Sequence, residues 1–318
     1  MGTCQSLLLD DDQDMFRGLV VSDTWSLTLY ESLQGHLKAL IQDPSPLHQW
    51  ILARSHQRLG RYFESLLGYA LYHCPLFSDV QQGILVKDKQ RSLGELDFVF
   101  KDQSSGQFCH LEIAVKFYLR LDQSTTLDSF VGHQGGDRFS HKIRLMVEKQ
   151  IPLSDLYFQS TLPTGDMGQL GRIRKLILVK GYLFSSQHDH RASPPGSPQN
   201  HLGAIAGINP RALHGRWVLW SEWRDFLANW DHCFWMILEK KQWLAPVHGS
   251  EAVSFLKSDH ITAPLEPLMS GASAAPLQVS QIQVHKAHQD RFKEIDRVFI
   301  VPDQWLKVCG SGDTCNTR

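Results

Sequence analysis

An α/β fold is the class this sequence predicts, and three observations predict it. Apolar residues recur at helical steps ahead of Pro75, short strand segments follow over residues 83–119, and KLILVKGYLF reads as a further buried strand beyond an intervening helix. In the first helical stretch Leu27, Leu29, Tyr30, Leu33, Leu37 and Leu40 recur mostly three or four residues apart, until Pro44 and Pro46 break the run. Leu52, Leu59, Tyr62, Phe63, Leu66, Leu67, Ala70 and Leu71 form a second, stronger stripe. Gly83–Val86 reads as a strand, and Glu95–Phe100 largely alternates polar and apolar residues. A turn over Lys101–Gln107, carrying Ser104-Ser105-Gly106, leads into a longer strand over Phe108–Leu119. After Gly135-Gly136, Asp137 is expected to cap a helix that runs to Gln150, and Lys175–Phe184 is the buried strand.

Ser185–Gln199, rich in Pro, Ser and Gly, cannot bury apolar surface and reads as a loop. A half rich in tryptophan follows, with Trp217, Trp220, Trp223, Trp230, Trp235 and Trp243. Its segment RWVLWSEWRDFLANW reads as an amphipathic helix whose aromatics are core, although tryptophans can also stack on bases. Ser270–Pro276 is a second loop of small residues, and Asp296–Val301 a last strand. The expected division is a helical segment over 1–49, a core over 50–185, a flexible loop over 186–200, and an α+β extension over 201–318, packed on the core.

Composition narrows the function. The 318 residues give a soft prior of two units at about 150 residues each. With 42% hydrophobic and 20% charged residues the chain is globular rather than disordered. Lys plus Arg number 32 against 33 Asp plus Glu, a net charge of −1, which excludes coating nucleic acid by bulk charge but not a local basic groove. The six cysteines form no CxxC pair, so a zinc ribbon is not expected, and scattered thiols suit a reducing compartment. No signal peptide, and no apolar run near the ~18 residues of a membrane span, is visible. Met1–Ser6 matches the short myristoylation pattern, which also arises by chance. The expectation is a soluble, cytoplasmic protein with no membrane partner. Without a P-loop or GxGxxG no nucleotide cofactor is expected, and without GxSxG no hydrolase of that class.

Four residues stand out for chemistry: Glu64 on the second helix, Asp97 on one arm of the hairpin, and Glu112 with Lys116 on the other. Glu112, Ala114 and Lys116 share a strand face, and the hairpin brings Asp97 beside Glu112. Adjacent carboxylates repel, and a hard cation relieves them. Acids and a lysine on paired strands suit metal-assisted cleavage of a phosphodiester. The plain alternative is the solvated face of a hairpin. Against it, Glu112 and Lys116 lie in HLEIAVKFYL, an otherwise apolar strand in which charge is costly.

GELDFVF, HLEIAVKFYL and VGHQGGDRFSHKIRLMVEKQIPLS, with RLGRYFESLL upstream and DRVFIVPDQW downstream, strongly resemble an uncharacterised bacterial family, the domain of unknown function 1853 (DUF1853) family. That family in turn is similar to the PD-(D/E)XK nucleases. The resemblance implies a restriction-endonuclease-like α-β-β-β-α-β core, a mixed sheet flanked by helices, with a C-terminal α+β extension. It places Asp97 on the first metal-binding acid, Glu112 on the second and Glu64 on a helical glutamate, and implies the Ile113 carbonyl as a further ligand. The superfamily's lysine would fall on Ala114. Lys116, about 6.6 Å further along the face at ~3.3 Å per residue, is the substitute, positioning the attacking water. Gln150 falls where related nucleases carry a polar contact.

The expected cofactor is Mg²⁺, or Mn²⁺, and the expected partner nucleic acid, DNA or RNA. Arg138, Lys142 and Lys149 are candidates for contact with its backbone, with Arg144 nearby. Glu95 and His110, each two residues from an acid on the same face, are candidates to support it. His188-Asp189-His190 reads as solvated rather than metal-binding. The reading is a Mg²⁺-dependent nuclease. The alternative is a nuclease-fold protein whose chemistry has lapsed and which binds nucleic acid or acts as a scaffold.

Overall fold

The computed structural model describes residues 6–8, 19–54, 58–89, 91–161, 173–190, 205, 207–230, 233–249, 255–271, 274–285 and 288–310. The myristoylation pattern lies almost wholly outside them, as does the 191–199 part of the predicted loop. The chain is mixed α/β, with helices flanking mixed β-sheet.

In chain order the elements are α1 (Asp23–Ser32), α2 (Gln34–Gln42), α3 (Ser45–Leu52), α4 (Leu59–His73), β1 (Phe77–Asp88), β2 (Arg91–Asp102) and β3 (Phe108–Arg120). Next come β4 (Phe130–Gly132), α5 (Phe139–Leu145), α6 (Leu153–Thr161), β5 (Arg174–Ser186), β6 (His214–Leu219), α7 (Trp223–Ala228), β7 (Phe234–Ile237), β8 (His248–Gly249) and β9 (Leu256–Lys257). The last are α8 (Thr262–Met269), β10 (Leu277–His285), β11 (His288–Val301) and α9 (Trp305–Gly310). The chain forms two compact units, one from residues 3–115 and 142–180, the other from 116–141 and 181–318.

In the first unit β1, β2 and β3 form an antiparallel meander. Phe98, Phe100 and Leu111 turn one face toward Leu67 and Leu71 of α4 and Leu29 of α1, while Val86, Leu96 and Val99 pack with Phe158 of α6. The apolar alternation of β2 therefore has a helix to satisfy on each side. Gly68 lets α4 come down on β1: a Cβ there would stand 2.7 Å from Gln82 Oε1.

In the second unit β6 runs parallel to both β5 and β11, and β10, β7 and β9 extend the sheet antiparallel. Trp223 and Trp235 are fully buried among Phe226, Ile261, Leu265, Val279 and Val298, so these tryptophans are core. RWVLWSEWRDFLANW is not one helix. His214–Leu219 is a strand, because β5 and β11 pair with it on both sides, and only Trp223–Ala228 is α-helical. Among the described residues no helix is long and apolar enough to cross a membrane.

Candidate functional site

The carboxylates of the first unit gather where β2 and β3 part. Their ladder pairs Phe98 with Leu111 and continues to Lys101 with Phe108. One step beyond, Asp97 and Glu112 face each other, and side chains take over from the backbone. Glu112 Oε1 accepts the Asp97 N–H at 3.3 Å, and Asp97 Oδ2 accepts the Ile113 N–H at 2.9 Å. Each acid thereby caps a donor that the opening ladder releases.

The two acids then diverge in environment. Glu112 is 0% exposed, which excludes the solvated hairpin face for it. Its Oε1 also lies 2.8 Å from His110 Nε2, itself fully buried, and its Oε2 accepts from Gln150 Nε2 at 2.7 Å. Asp97 is only partly shielded by such bonds. Burial first, then the Glu112 and Glu64 carboxylates, push it up to about 7, against the Ile113 N–H and the Lys142 ammonium, which pull it down. Asp97 therefore changes charge near neutral pH.

Glu64, from α4, is 7% exposed and accepts from Arg61 Nη1 at 2.9 and 2.8 Å and from Gln82 Nε2 at 3.1 Å. Arg61 Nη1 also reaches Glu95 Oε1 at 3.0 Å. One carboxylate oxygen each from Glu64, Glu95 and Asp97 lie within 4.8 Å of one another. Glu95 thus stands in the acidic cluster itself, whereas the sequence suggests a supporting place for it, and Glu112, engaged by three donors, is not one of the three clustered acids.

Gln150 reaches Glu112 because the helix changes pitch. After Leu145 the chain makes a π turn over Met146–Gln150, with the Ile151 N–H bonded to the Met146 carbonyl at 2.9 Å. The wider turn rephases the helix. Gln150 faces inward and accepts from Lys142 Nζ at 3.1 Å, while Lys149 and Arg144 stay exposed.

Two predicted residues lie before that helix. Arg138 bridges Val131 in extended geometry and donates to the Asp128 carbonyl at 2.7 Å, and Asp137 accepts the Gly132 N–H on its carbonyl at 2.6 Å. This bridge keeps both out of α5, which starts at Phe139, so Asp137 is not the expected cap. Its carboxylate instead accepts from Lys116 Nζ and, at 3.2 Å, from the Tyr118 hydroxyl. Lys116, Asp137, Tyr118 and Arg138 all belong to the second unit. Ile113 contributes its N–H to Asp97. His188 pairs with Glu222 at 3.1 Å. Sequence reasoning passed over Arg61 and Gln82. Arg61 had a signal, a cation three residues before Glu64 on one helix face; Gln82 had none.

The profile of the domain of unknown function DUF1853 matches residues 3–301. The chain belongs to this family. No curated protein and no solved structure matches it significantly.

Proposed function

We propose that the chain is a metal-dependent nuclease that hydrolyses the phosphodiester bonds of DNA or RNA on a PD-(D/E)XK core, with Mg²⁺ or Mn²⁺ as cofactor. The observation that carries this reading is the convergence of Glu64, Glu95 and Asp97 oxygens within 4.8 Å. Carboxylates are the hard donors that Mg²⁺ and Mn²⁺ select. Around octahedral Mg²⁺ adjacent oxygens stand about 3.0 Å apart and opposite ones about 4.2 Å, so the three oxygens would draw together on binding the ion. Bound there, the ion supplies charge neutralisation at the phosphate and a more acidic water.

The chain's own residues do the rest. Glu112, anchored by His110 and Gln150, holds the Asp97 N–H and with it the geometry of the fork. Asp97, near neutrality, gives up its proton at Oδ once a cation offsets its neighbours. Lys142, Lys149 and Arg144 on the adjoining helix offer charge to the nucleic-acid backbone.

Lys116 favours a second reading. Its ammonium is committed to Asp137, and Ala114 stands where the superfamily carries lysine, as in a nuclease-fold protein that binds nucleic acid or serves as a scaffold without cleaving it.

The test is cleavage of labelled single- and double-stranded DNA and RNA in Mg²⁺ or Mn²⁺ by the wild type, Asp97→Ala, Glu112→Gln and Lys116→Ala. We expect metal-dependent cleavage that falls by about two orders of magnitude or more in Asp97→Ala. Cleavage unchanged in Asp97→Ala and Glu112→Gln overturns the assignment. Binding without cleavage selects the second reading.

A further inference from the structure

Arg61 contacts the acidic cluster in an unusual way. Arginine ordinarily meets a carboxylate with two nitrogens in a fork. Here one nitrogen, Nη1, serves Glu64 Oε1 at 2.9 Å, Glu64 Oε2 at 2.8 Å and Glu95 Oε1 at 3.0 Å. It acts as a point charge among three oxygens, the place of a bound cation. The side chain is 53% exposed, so leaving does not require the fold to open. Arg61 and Glu64 line, with Arg54, Ser65, Gln82 and Gly83, a cavity of about 370 Å³.

A divalent ion competes for the same oxygens. It carries twice the charge and approaches oxygens to about 2.1 Å, so its attraction per oxygen is roughly threefold that of Nη1 at equal dielectric. The displaced guanidinium would then carry five donors into a cavity already bearing a second arginine, a pairing suited to a phosphate.

We propose that Arg61 is the resident counter-ion of the cluster, that a divalent cation displaces it, and that the released guanidinium binds a phosphate of the nucleic-acid substrate. The inference rests on the metal reading above. In the metal-free protein Arg61 relieves the repulsion of the acids; with metal bound it joins Arg54 in holding the substrate.

The experiment uses the full chain as wild type, Arg61→Gln and Arg61→Lys. Mn²⁺ is titrated calorimetrically, and a labelled oligonucleotide is bound in EDTA and in Ca²⁺. Arg61→Gln is expected to bind Mn²⁺ three- to tenfold more tightly and to melt lower without metal. Mn²⁺ should raise its melting temperature more than that of the wild type. Its oligonucleotide affinity should fall at least threefold in Ca²⁺ and stay unchanged in EDTA. Arg61→Lys, which restores a point charge, should recover the metal-free melting temperature. Mn²⁺ affinity equal in wild type and Arg61→Gln overturns the displacement and leaves the metal reading standing. Equal loss of oligonucleotide affinity in EDTA and Ca²⁺ overturns the release. Absence of Mn²⁺ binding by any of the three proteins overturns the metal reading, and this inference with it.

Discussion

Glu112 accepts from the Asp97 N–H, His110 and Gln150 without any exposure to solvent, whereas Asp97, opposite it, is held near neutrality by burial and by the acids around it. A carboxyl so enclosed depends on every donor it has, because a polar group left short of partners in the interior keeps its desolvation penalty. His110→Phe preserves the ring's volume and removes one donor. It is expected to cost about 1–3 kcal/mol in urea unfolding, and an unchanged midpoint would show that Glu112 does not rely on the imidazole. The acids themselves were legible in the sequence, since strand alternation and the hairpin turn bring Asp97 opposite Glu112. Their unequal environments were not, because His110 and Gln150 act through side chains whose reach no periodicity encodes.

Among the elements, β5 depends on Gly181, which adopts φ +134° and approaches the backbone of β3 so closely that a Cβ would stand 1.7 Å from the Lys116 carbonyl oxygen. Backbone cannot yield as a side chain can. Gly181→Ala is therefore expected to cost at least about 3 kcal/mol, a fall of roughly 6–12 °C in Tm by calorimetry; a fall under 2 °C would contradict the contact. The apolar run KLILVKGYLF marks this strand plainly, yet it gives no sign of why a glycine interrupts it. The helix predicted to end at Gln150 does end there, but α geometry gives way to a π turn over its last residues, from which Gln150 reaches Glu112. The tryptophan segment was misread for a related reason: clustered aromatics fit a helix face and a buried strand equally, and pairing with β5 and β11 decides for the strand over His214–Leu219.

At the scale of the whole molecule, near-balanced charge means that the proposed binding of nucleic acid would fall to a few local cations. If exposed Lys149 meets a phosphate, Lys149→Ala should weaken binding uniformly across sequences and lower the slope of log K against log salt by about 0.9 on duplex DNA. An unchanged slope removes it from the interface. Acid sensitivity is expected from His133, packed against Phe117, Trp243 and Phe299. Burial, then the ammoniums of Lys240 and Lys116, lower it from 6.5 to about 4. The fold then binds fewer protons than the unfolded chain between those values. Its contribution is complete above pH 6.5 and is lost as pH falls through about 4, up to about 3 kcal/mol. Urea unfolding at pH 7.5, 5.5 and 4.5 should show a steeper acid loss in the wild type than in His133→Phe; parallel curves would refute it.

By itself the sequence determined that a helix precedes Pro75, that a hairpin follows it, and that two acids meet at the hairpin's fork, because these follow from periods of a few residues. Only the tertiary structure decided what surrounds those acids. Arg61 meets Glu95 across 34 positions, Gln82 meets Glu64 across 18 and Gln150 meets Glu112 across 38. Such contacts depend on how whole elements pack and on how far one side chain extends, quantities that local patterning does not contain.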